Sequence, residues 1–181
     1  MLFLKNLALL TTTLVIASIA LGASSPSGTE LSHQDNERQS LKGLNGLEVL
    51  VEPLDSDIEQ LGLSTDKLQE DVRQRLHKAG VNVLTERERL ATPTAAILIV
   101  RVDTLHDRIG RYFYSTDLLL TQRVKLATHG APEVFAVTWK KLGVVSTIAD
   151  DNLKHLEDQV LRKVDQFIKD YLAVNPDKRK P

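Results

Sequence analysis

The sequence predicts an α+β domain, and three observations carry that prediction. Strand-like alternation fills most of 95–145, apolar spacing of three and four fills 65–79 and 153–171, and the blocks follow one another as β-α-β, short α, β-β-β, α. That order gives a mixed, mainly antiparallel sheet with two main helices, most simply packed on one face.

Residues 1–23 read as an export signal. Lys5 supplies the early positive charge, 7–21 the apolar stretch, and Gly22 and Ala23 the small-residue exit before Ser24, Ser25 and Pro26. Cleavage after Ala23 and after Gly22 fit equally well. An uncleaved anchor is the rival, because 2–23 is long and apolar enough to span a bilayer. The three threonines at 11–13 and the small-residue exit favour cleavage. On either reading the rest of the chain is exported, periplasmic or secreted, and a membrane is a partner only if the segment is retained. Residues 24–40 carry Leu31 as their one apolar side chain and read as a disordered spacer. A single domain is expected over 41–176, with a basic tail at 177–181.

Within the domain, Glu48 and Glu52 alternate with Val49 and Val51 in a short strand over 47–54 that stops at Pro53. A turn region follows around 55–62. Leu68, Val72, Leu76 and Ala79 share one face of a helix over 65–79, which Ser64 or Thr65 can cap and Gly80 ends. A short strand is expected at 81–84. Thr85 and Glu88 then match the capping box of a short helix over 86–91, which stops before Pro93. Three strands are predicted at 95–106, 112–127 and 134–145, with Gly143 marking a bulge and hairpin turns at 107–110 and 129–132. Leu153, Leu156, Val160, Val164, Phe167, Ile168 and Tyr171 define the last helix, with Asp150 and Asp151 in its first turn and a stop near Asn175-Pro176.

Composition narrows the chemistry. The chain has 181 residues, 26% charged, a formal net charge of −1, and no cysteine. It lacks disulfides, thiol nucleophiles, Cys-built zinc or iron–sulfur sites, and the cysteine that lipidation of an exported protein needs. The near-neutral charge argues against nucleic acid, whose phosphates call for a basic face.

Motifs add little. His106-Asp107 is the one adjacent His–acid pair, but it falls where a strand runs into a turn. The other histidines show no metal-binding spacing, and neither a Gly-x-Ser-x-Gly elbow nor a phosphate loop is present. No catalytic, cofactor-binding or metal-ligating residue is therefore assigned, and no cofactor is expected. Glu48, Glu52, Asp103 and Asp117 point outward on strands, as a solvated face does, and leave open a hydrolase using paired carboxylates. The candidate interaction surface consists of Trp139, Lys140, Lys141, Arg123, Lys125 and Tyr112, a basic aromatic patch suited to an anionic glycan or lipid. The reading favoured for Trp139 itself is burial under the last helix, with Phe135 and Val137 on the same covered strand face.

The element order over 41–176, preceded by an export signal, resembles small envelope modules: the N-terminal domain of TolB and the lipoprotein that assists lipopolysaccharide delivery. The segment FIKDYLAVNP also looks like the close of uncharacterised exported bacterial proteins. The sequence departs from the lipoprotein in having no Cys, so a lipid anchor does not carry over. The leading reading is a non-enzymatic exported module that acts by contact with an envelope protein or with the envelope itself. Its working surfaces would be the strand edges and the sheet face opposite the helices.

Overall fold

The computed structural model describes residues 32–109, 112–148 and 153–178. Among them the fold is α+β: α1 His33–Gln39, β1 Leu47–Val51, α2 Ser56–Gln60, α3 Thr65–Lys78, β2 Val83–Leu84, α4 Glu86–Leu90, β3 Ala96–His106, β4 Tyr112–Lys125, β5 Glu133–Lys141, β6 Ser146–Ile148 and α5 Leu153–Val174. A 3-10 turn, Pro176–Lys178, closes it. The signal or anchor at 1–23, the spacer as far as residue 31, Gly110 of the first hairpin turn, Asp150 and Asp151, and the end of the basic tail lie outside the described residues.

The sheet order is β2-β1-β3-β4-β5, parallel across β2-β1-β3 and antiparallel beyond, with β6 also pairing β4. The parallel pairs follow from the helical crossovers between those strands, and the antiparallel ones from hairpins. Leu47, Val49 and Val51 of β1, Leu98 and Val100 of β3, and Leu118 and Leu120 of β4 turn one face toward the helices. There they meet Leu68, Val72 and Leu76 of α3 and Leu156, Val160, Val164 and Phe167 of α5 in one core. Ser64 caps α3 through the Lys67 amide, and Gly80, at φ 81°, follows its end in the left-handed region that a side chain disfavours. The expected capping box is formed: the Glu88 carboxylate accepts from the Thr85 amide at 2.8 Å, and the Thr85 hydroxyl accepts from the Glu88 amide.

Three differences from the sequence reading have physical causes. The expected disorder over 24–40 fails at 33–39, which form α1. Ser32 caps this helix, and Arg38 ties it to Asp170 of α5 at 3.3 Å. None of its residues is buried, so its composition matches that of a disordered segment. Within the turn region at 55–62, Ser56–Gln60 form a short helix that buries Ile58.

The last strand is broken into β5 and β6. Between them the Gly143 amide donates to Asp117 Oδ1 at 2.8 Å, and Lys163 Nζ of α5 donates to the Thr116 carbonyl. These two bonds engage β4 along the stretch between its pairing with β6 at 112–114 and with β5 at 118–125.

Candidate interaction surface

The second face of the sheet carries none of the main helices. Two rows of side chains cross it in register: Leu50, Ile99, Leu119 and Lys140 form one, and Glu48, Ile97, Thr121 and Val137 the next. Phe135 extends the apolar part beside Arg123, whose guanidinium lies 5.6 Å from the ring centroid. Leu50, Val137 and Phe135 are 43%, 48% and 55% exposed, although they sit in the middle of strands. Ion pairs frame this strip. Arg101 holds Glu52 through two bonds of 2.8 and 3.0 Å, Arg89 of α4 pairs with Glu48, and Arg123 lies 3.9 Å from Glu133.

A bulge decides which aromatic residue faces which way. Leu120 pairs with Trp139 but Thr121 pairs with Val137, so Thr138 is the extra residue on β5. Side chains before it alternate out of phase with those after it. Trp139 enters the core, while Phe135 and Val137, expected on the same covered face, point to the open one. The sequence reading thus placed Trp139 correctly under α5, but the alternation it used fails at residue 138.

Trp139 is 2% exposed. Its Nε1–H donates to Asp170 Oδ2 at 3.2 Å, and its ring meets Phe167 edge-on at 5.1 Å. It is therefore corrected from the candidate surface. The remaining basic residues fall into two groups: Arg123 and Lys125 near the β4–β5 turn, Lys140 and Lys141 at the far end of β5. Six residues of β4 separate Lys125 from Leu119, the partner of Lys140, or about 20 Å at strand rise. The patch does not assemble. For Tyr112 the backbone pairs with His106 and Ile148, and its side chain lies outside the described residues.

Of the outward carboxylates, Glu48, Glu52 and Asp117 hold partners, while Asp103 is exposed beside the hollow that Leu105, Phe113 and Val145 line. The bond from Arg101 holds the Glu52 carboxyl below its usual range, the opposite of what a general acid requires. Asp117 accepts the Gly143 amide, and Asp107 Oδ1 accepts the Ile109 amide at 3.0 Å, making the His106-Asp107 pair part of a turn. Among the described residues no group of three or more His, Cys, Asp or Glu side chains could hold a metal ion, and no helix is long and apolar enough to cross a membrane.

No protein-family model and no curated protein matches the chain. Among solved structures it is similar to a minor lipoprotein from Acinetobacter baumannii, at 10% identity and a TM-score of 0.30, over 73% of this chain and 93% of that one. So slight a likeness carries no argument about what the chain does.

Proposed function

We propose that the protein is an exported, non-enzymatic module of the cell envelope that binds a partner protein through the open face of its sheet. The N-terminal signal pattern supports export. The observation that carries the binding surface is the exposure of Leu50, Val137 and Phe135, joined across the same face by half-buried Ile99 and by Leu119, which is 9% exposed. A contiguous apolar patch rimmed by charges is the usual mark of a protein contact. Face contact is favoured over strand addition at β5, because the bulge at Thr138 and the exposed Lys140 and Lys141 are devices that keep an edge from pairing.

A photo-reactive residue at Val137 or Leu50 tests this in cells. Both positions should give the same discrete adduct in the envelope fraction, and one at Leu90, exposed on α4, should not. The Val137→Asp change should remove the adduct formed from Leu50. Clean monomeric recovery from both positions would sink the reading.

A further inference from the structure

The charges of the open face stand in an order of their own. Beside the row of Leu50, Ile99, Leu119 and Lys140 runs a charged row: Glu52 is bonded to Arg101, and Arg101 is paired across the ladder with Asp117. Its signs alternate, negative at β1, positive at β3 and negative at β4. Asp117 keeps its charge while accepting the Gly143 amide. Lys140 is exposed at the β5 end of the apolar row, and its ammonium has no partner among the described residues. Glu52, Arg101, Asp117 and Lys140 cancel in sum, as do Glu48 and Arg89 in the pair beside them. A face so balanced has no net charge to draw a strongly acidic or basic partner, and its complement is its own pattern reversed.

A two-fold dimer supplies that reversal, because it lays the same patch of two copies on itself. About an axis parallel to the strands, between β3 and β4, each row meets itself end to end. Arg101 then faces the second copy's Asp117, and Ile99 the second copy's Leu119. Lys140 lies along the second copy's Leu50, with the Glu52 carboxylate two residues further on, about 7 Å along the strand and within reach of a lysine side chain. Every contact occurs twice. An axis across the strands, through the apolar row, instead sets Lys140 on the second copy's Lys140 and Glu52 against its Glu48. The charges therefore select the first axis, which gives the aligned stacking that twisted sheets favour. Four strands about 5 Å apart and four rows about 7 Å apart, from Glu52 to Phe135, cover about 500 Å² on each copy. Two such faces reach the lower end of specific interfaces, the size of a weak, reversible dimer.

We propose that the occupant of the open face is a second copy of this chain, seated about a two-fold axis parallel to β3 and β4, with Lys140 of each copy beside Glu52 of the other. The proposal rests on the sheet-face reading and narrows its partner to the chain itself.

The full-length protein, in mild detergent, is followed by sedimentation velocity over a micromolar concentration series. It should pass from monomer to dimer as concentration rises. Lys140→Glu and Glu52→Lys should each weaken dimerisation about tenfold, since each sets like charges at both symmetric contacts. An equimolar mixture of the two variants should regain most of the loss, because the mixed dimer carries one native contact and one with its charges exchanged. Unshifted Trp139 emission reports that each variant is folded. Association through the N-terminal run is the same in all variants, so a dimer indifferent to both substitutions, or one that mixing does not restore, overturns the proposal. A wild-type chain that stays monomeric throughout also overturns it. If Val137 and Leu50 still give an adduct with a different chain in cells, the sheet-face reading stands and only the second copy is excluded; with no adduct, both fall.

Discussion

Asp170 holds three donors at once: Trp139 Nε1–H at 3.2 Å, Arg38 Nε–H at 3.3 Å and Gln166 Nε2–H at 3.3 Å. It is 9% exposed, so the charge is tolerated only because the guanidinium and the indole meet it. Asp170→Ala should cost about 2–4 kcal/mol, since it leaves a buried indole N–H without an acceptor. Urea unfolding followed by Trp139 emission measures this, and a loss under about 1 kcal/mol would contradict the assignment. Glu52 behaves differently, because it and Arg101 are partly exposed, their side chains 36% and 40% accessible. Its carboxyl is held below the ordinary glutamate range, mainly by the hydrogen bond from Arg101. A lowered folded-state pKa contributes stability that is present above the unfolded value and lost as pH falls toward the folded one. Glu52→Gln should therefore flatten the decline in stability below about pH 4.5 and change little at pH 7, consistent with an exposed pair worth under about 1 kcal/mol.

At the scale of elements, the break between β5 and β6 is specified by contacts that a sequence does not display. Glycine at 143 marked an irregularity, but its nature depends on Thr116 across the ladder. A Cβ at 143 would collide with the Thr116 carbonyl oxygen and amide nitrogen, and with Lys163 Nζ. Two of those obstacles are backbone atoms with no room to yield. Gly143→Ala should therefore destabilise by about 1–3 kcal/mol. It should speed amide exchange at 112–114 and 146–148 while leaving 97–100 unchanged. Uniform acceleration would place the strain elsewhere. The two main helices and strands β3 and β4 were legible because each buries one continuous face, so its period is written in the residue order. The bulge was not legible, because Thr138 is polar like any outward residue and its extra place in β5 is set by pairing with β4. That one residue accounts for the error over Phe135 and Val137, and hence for a candidate site drawn around the wrong aromatic residue.

At the scale of the molecule, the question is where the folded unit begins. Composition alone assigns everything before Leu41 to a spacer, yet α1 joins parts of the fold distant in sequence. Arg38 reaches Asp170, the Ser40 hydroxyl donates to the Thr138 carbonyl at 3.0 Å, and Gln122 Nε2 donates to the Ser40 carbonyl at 3.0 Å. The helix thus closes both the Thr138 bulge and the side of Trp139 that α5 leaves uncovered, where Arg38 lines a groove with Trp139 and Asp170. A chain starting at Ser32 should keep all of this, and one starting at Leu41 should lose all three bonds. At about 1 kcal/mol for each bond the difference is about 2–3 kcal/mol, or 5–10 °C in Tm for a domain of this size. Iodide or acrylamide should reach Trp139 more readily in the shorter chain, because Arg38 no longer covers the approach. If the two chains melt within about 2 °C of each other with equal quenching, α1 is an appendage and the folded unit begins at Leu41.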